Sequence, residues 1–215
     1  MIKILACITM FIDHIGLLFF PKQILFRIIG RISMPLFAYC IARGIKNTKN
    51  VKNYIFRILL ISIVSQIPYM FMINYFKLNI CFVWVLTVIF ISLCKKLKNK
   101  KIYFVYILLV VALLVFVPMD YGLYGFLYVI FSYFFFLDND IIKMYISWGT
   151  LHIFYLLYNP SSAIMQVFTF PSIIVIFICN KLNLEKVNIK SKFILWFYPI
   201  HIIVLIIIKF ILEKI

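Results

Sequence analysis

Three histidines, six carboxylates and five cysteines supply most of the reactive side chains in this 215-residue chain. Asp13 and His14 stand side by side inside an apolar run, Arg31 lies inside the next run, and His201 follows Tyr198-Pro199-Ile200 inside the last. A neutral histidine can take a proton from an attacking nucleophile, and a neighbouring carboxylate can fix or balance it. This set therefore suits group transfer. In that reading His14 is the general base, and Asp13 orients or charge-balances the site through Arg31. His201 is the alternative base or a donor to a carbonyl, supported by Tyr198. No Ser or Cys sits in a recognisable nucleophile motif, so direct attack of an acceptor on an activated acyl donor is simpler than a covalent intermediate. The same residues would also make a proton relay in a transporter or flippase, and a non-catalytic assembly or scaffold protein is a third reading.

Other polar residues interrupt the apolar runs. Ser65-Gln66-Ile67-Pro68 combines a polar side chain with a kink, and Asp120-Tyr121-Gly122 reads as a cap or interfacial turn. His152 follows Trp148 by four residues on one helical face and reads as structural. Cysteines 7, 40, 81, 94 and 179 form no CxxC or metal-ligand spacing, so no metal is expected. Arg27 lies one turn nearer the surface than Arg31 and is expected to snorkel toward water.

The elements that hold these groups follow from composition. Two thirds of the residues (66%) are hydrophobic and 13% are charged, with a mean hydropathy of +1.12. An ordinary soluble domain is about half apolar and a quarter charged, so the surplus must face lipid. Apolar runs span 4–20, 24–45, 54–73, 80–94, 102–117, 121–137, 141–158, 163–179 and 193–211. Most approach the roughly 20 residues that a membrane helix requires, and their continuity excludes the alternation of a membrane barrel. The expectation is an all-α polytopic membrane protein, a bundle of about nine transmembrane helices forming a single domain over residues 1–215. Although the first run begins like a signal peptide, Asp13 and His14 interrupt it, so it reads as a retained helix.

The net charge of +16 fits the same map. Sixteen of the 22 basic residues fall in loops on one face, including Arg43 to Arg57, Lys95 to Lys101 and Lys181 to Lys192. The positive-inside rule then puts the N-terminus and these loops in the bacterial cytoplasm, without a nucleic-acid partner. A short first loop makes the first two spans antiparallel neighbours, which brings Asp13 and Arg31 into reach of each other at mid-depth.

These residues also form an ordered series of motifs. Ile8-Thr9-Met10 leads to Asp13-His14-Ile15-Gly16. Arg27-Ile28-Ile29-Gly30-Arg31, Pro35-Leu36-Phe37-Ala38 and Arg43-Gly44 follow. Next come Ser65-Gln66-Ile67-Pro68-Tyr69, Asn79-Ile80, Asp120-Tyr121-Gly122 with Gly125, Gln166-Val167-Phe168, Asn180 and Tyr198-Pro199-Ile200-His201. In this order the chain resembles the membrane proteins of the conjugal transfer TraX type, associated with acetylation of the pilin N-terminus. The resemblance implies a membrane-embedded acetyltransferase using acetyl-CoA as donor, related to the wider transmembrane acyltransferase class. Its acceptor would be an amine or hydroxyl group on a protein or small molecule. The buried polar groups and the resemblance together make His14, Asp13 and His201 the candidates for catalysis and Arg31, Gln66, Asp120, Tyr121 and Tyr198 those for substrate binding. Gln66 stands where some members carry a carboxylate, and Val83-Trp84 replaces a common Thr-Leu.

Overall fold

A computed structural model of the chain describes residues 1–184 and 191–213. Lys186, Lys190 and Lys214, counted among the basic residues above, lie outside them, as does the side chain of Lys192. The described chain is helical throughout: α1 (Ile2–Phe19), α2 (Ile24–Gly30), α3 (Ser33–Asn47), α4 (Val51–Ile73), α5 (Ile80–Cys94), α6 (Lys100–Phe116), α7 (Gly122–Phe131), α8 (Ile141–Tyr158), α9 (Pro160–Gln166), α10 (Pro171–Lys181) and α11 (Ser191–Leu212). Each expected apolar run coincides with helix. Among the described residues, five segments are long and apolar enough to cross a bilayer: Ile2–Phe19, Ile24–Asn47, Val51–Ile73, Pro160–Lys181 and Ile194–Leu212.

Local chemistry sets the boundaries. Asn50, Asn79, Asn99, Asp140 and Asn159 each accept a backbone N–H at the start of α4, α5, α6, α8 and α9 respectively, which satisfies amides that have no partner inside the helix. The second apolar run, expected to be one helix, is broken between α2 and α3 at Arg31 and Ile32. Pro35 explains the break, because it has no N–H to offer the carbonyl four residues earlier, that of Arg31. Pro171 acts similarly in the eighth run, where the 3-10 turn Val167–Thr169 separates α9 from α10. The sixth run ends in a π-helical turn, Ser132–Phe136.

Packing does not follow chain order. The last helix, α11, packs against both α1 and α4; α4 packs on α5, α5 on α7, α7 on α3, and α3 returns to α1. These six helices form a closed ring. α8 and α10 flank it, and α6 lies outside along α7 with only Val110 and Leu114 buried. The core is apolar, but so is much of the outer surface: on α4, Ser62 and Ser65 are fully buried while Ile67 and Phe71 are 68% and 69% exposed.

Candidate functional site

α1 and α11 meet at His14 and His201, whose nearest ring nitrogens, Nδ1 of His14 and Nε2 of His201, lie 2.7 Å apart. The rings are nearly parallel, 11° between planes, and Phe197 stacks on His201 with a centroid separation of 4.8 Å. Nδ1 of His201 lies 2.6 Å from the Phe197 carbonyl oxygen. A carbonyl can only accept, so Nδ1 of His201 donates to it. In neutral His201 this leaves Nε2 as an acceptor, and His14 must donate from its own Nδ1. Neutral His14 then keeps its lone pair on Nε2. Two buried histidines thus form a directed chain that ends in a ring nitrogen with a free lone pair.

Asp13, the neighbour of His14, faces α2 instead. Its Oδ2 lies 2.9 Å from Arg27, and its Oδ1 lies 3.6 Å from Arg31. The expected Asp13–Arg31 pair is present, and Arg27, the more exposed of the two arginines, makes a closer ion pair with the same carboxylate. The i, i+4 spacing of the two arginines, on α2 and at its C-terminal cap, puts them on one side, a signal that could have pointed to a shared carboxylate. Gly30 and Gly16 permit the approach: a Cβ at Gly30 would overlap the Asp13 carboxyl, and one at Gly16 would overlap Phe26.

Arg31 extends the cluster by donating to the Tyr121 hydroxyl at 3.0 Å, with its guanidinium 5.7 Å from that ring's centroid. Tyr121 adopts a left-handed conformation, φ 59°, unusual for a non-glycine residue. Neighbouring bonds hold it there. Leu78 N–H donates to the Pro118 carbonyl at 2.9 Å and Asp120 N–H to the Leu78 carbonyl at 2.8 Å, while Lys77 pairs with the Asp120 carboxylate at 3.1 Å. Asp120 therefore joins two loops, and Tyr121 occupies the cap position of α7.

Gln66 braces the same loop. Its amide donates to the Lys77 carbonyl at 2.8 Å, and its oxygen accepts from the backbone and side-chain N–H groups of Asn79, both at 3.0 Å. The second donor of Asn79 reaches the Ser62 carbonyl at 2.8 Å. His152 lies apart, against Trp148 and 2.6 Å from the Gln166 carbonyl oxygen.

Inside the ring, a cavity of about 460 Å³ runs from the end bearing Lys3, Lys49 and Arg57 inward to Trp84, Cys81 and Tyr198. Tyr198 lines it and also packs on both imidazoles, with centroids 6.5 Å from His14 and 5.9 Å from His201. Trp84, at the sequence departure noted above, carries a buried indole N–H with no hydrogen-bond partner among the described residues. The cavity gathers residues from five helices, so its lining has no linear signature. Asp13, His14, Arg31, Tyr121 and His201 converge around α1; Gln66 and Asp120 support the loops beside them.

A family model described as TraX protein matches residues 1–209. The chain belongs to the TraX family. Two curated relatives share shorter stretches with this TraX-family chain. An uncharacterized protein of Rickettsia prowazekii (strain Madrid E) is 54% identical over 39 residues, 18% of this chain and 16% of its own length. The probable fimbrial assembly protein FimC, serogroup H1, of Dichelobacter nodosus is 28% identical over 82 residues, 36% of this chain and 34% of its own. The matched stretches thus span about a third or less of these relatives. No solved structure matches the chain.

Proposed function

We propose that this TraX-family chain is a multi-pass protein of the bacterial cytoplasmic membrane that moves an acetyl group from acetyl-CoA to an acceptor amine or hydroxyl. A pilin or other peptide N-terminus is the favoured acceptor. The many large hydrophobic side chains exposed on the helices support a lipid surround, and the concentration of basic residues in alternate loops supports a cytoplasmic N-terminus for a bundle of about nine spans. The single observation that carries the chemistry is the Phe197–His201–His14 chain, because it presents an unprotonated Nε2 on His14 in a buried site.

In this reading the acceptor nitrogen attacks the thioester carbonyl carbon, forming the new C–N bond as the C–S bond breaks. His14 Nε2 takes the proton released by the attacking nitrogen and passes it to the departing sulfur, so the products are an N-acetyl amide and the free thiol. His201 fixes the His14 tautomer and shares the imidazolium charge. The cavity supports a donor entering from the basic end, where Lys3, Lys49 and Arg57 would face phosphates and the apolar interior would take the pantetheine arm. The arginine and carboxylate cluster on the other side of the histidines balances charge around the site. The fimbrial assembly relative supports a pilus-related acceptor.

Purified protein incubated with labelled acetyl-CoA and peptides bearing free N-termini tests the proposal. Transfer of label to the peptide amine, with one acetyl mass added, is the expected result. Uptake driven by a pH gradient in proteoliposomes, with no thioester consumed, would replace this reading with a proton-coupled transporter.

A further inference from the structure

A second cleft, of about 550 Å³, lies away from the histidines, where the turn between α5 and α6 meets the π-helical end of α7. Its rim carries Lys95, Lys98 and Lys100, and its walls include Tyr103, Tyr133 and Phe134. Five lysines fall between positions 95 and 101, whereas Asp120 is the only carboxylate between residues 14 and 137 and is paired with Lys77. Among the described residues no carboxylate pairs with these lysines. Lys95 instead sits 5.0 Å from the centroid of the Tyr133 ring. Topology explains why cations lie at this end, but it does not require a cleft with aromatic walls beneath them.

We infer that this cleft binds an anionic diacyl phospholipid. The lysines face the phosphate, and the aromatic walls hold the glycerol and carbonyl region, as aromatic residues do at a membrane interface. The exposed apolar surface that continues from the cleft, including Phe104 and Leu108 on α6 and Phe134 on the π turn, receives the acyl chains. A soluble phosphate would use the rim and leave the walls unfilled. The inference rests on the membrane location proposed above, which a requirement for detergent extraction tests separately, and is independent of acetyl transfer.

The experiment is a titration of the delipidated full-length protein in detergent, with bound lipid counted by native mass spectrometry. Phosphatidylglycerol is expected to bind at least about tenfold more tightly than phosphatidylcholine. The triple variant Lys95→Gln, Lys98→Gln, Lys100→Gln should lose that affinity by about 10- to 100-fold, near a factor of a few per removed charge. Arginine at the same three positions should preserve binding, which separates loss of charge from loss of fold. A charge-matched variant elsewhere (Lys52→Gln, Lys143→Gln, Lys181→Gln) should also bind like the parent. Equal binding of the two lipids, full binding by the glutamine triple variant, or an equal loss in the charge-matched variant would overturn the inference. Complete displacement by millimolar glycerol phosphate would do the same and leave a phosphate site in place of a lipid site.

Discussion

Nδ1 of His14 and Nε2 of His201 are 2.7 Å apart across the α1–α11 contact, although 187 positions separate them in sequence. The anchoring of His201 on the Phe197 carbonyl gives the pair a direction, so the two histidines have unequal roles. His14→Ala should reduce acetyl transfer by roughly 10²- to 10⁴-fold, the usual range for a general base. His201→Ala should cost less, with imidazole restoring part of the activity of the His14 variant. The assay is turnover of labelled acetyl-CoA, and unchanged turnover in His14→Ala would remove that assignment.

Asp13 is coupled more tightly to Arg27 than to Arg31, by 2.9 Å against 3.6 Å. A double-mutant cycle between Asp13→Asn and Arg27→Gln should therefore give a coupling of about 1–3 kcal/mol in detergent unfolding experiments. The cycle with Arg31→Gln should give a smaller value, because Tyr121 also holds that guanidinium. Equal couplings would show that the two arginines share the carboxylate without preference.

Glycine substitutions separate close packing from mere helix content. Gly30→Ala places a methyl group on the Asp13 carboxyl and should destabilise the protein by about 1–3 kcal/mol. Gly149, inside α8, has open space where a Cβ would stand, with nothing within 4 Å, so Gly149→Ala should stabilise by about 0.5–1 kcal/mol. Thermal unfolding of the two variants in parallel reads both signs.

Asn79→Ala should be costly for a residue outside the site. It removes the α5 cap and the side-chain donor to the Ser62 carbonyl and the Gln66 oxygen, which keeps only the backbone N–H of residue 79, a combined loss of about 2–3 kcal/mol. A change within about 0.5 kcal/mol in chemical unfolding would mean that relaxed neighbours or water satisfy these groups.

Asp140 caps α8, and the backbone N–H groups of Lys143 and Ile142 hold its carboxyl below the usual carboxylate range. A depressed folded-state value means that the capping contribution is complete above the unfolded pKa of about 3.9 and fades as pH falls through the lower folded value. Protection of the first α8 amides against hydrogen exchange should thus be insensitive to pH from 7 to about 5 and weaken only below about 4. In Asp140→Asn the acid-dependent part should vanish.

The helices and the polar residues within apolar runs were legible in the sequence, because hydropathy acts over a few residues, whereas the cap read at Asp120 falls instead on Tyr121, without a side-chain bond. Asp13, His14, Arg31 and His201 stand out because charge and imidazole are costly among apolar neighbours. The Arg27–Asp13 pair was half legible through its spacing to Arg31. What the sequence could not reveal is the order of packing. Only the tertiary structure inserts α11 between α1 and α4, brings His201 to His14, joins Gln66 to Asn79, and closes the cavity from residues on five helices. Periodicity tells each helix which face to bury, but many neighbours can cover an apolar face equally well. The choice among them depends on side-chain fit and on buried polar partners far away in the chain.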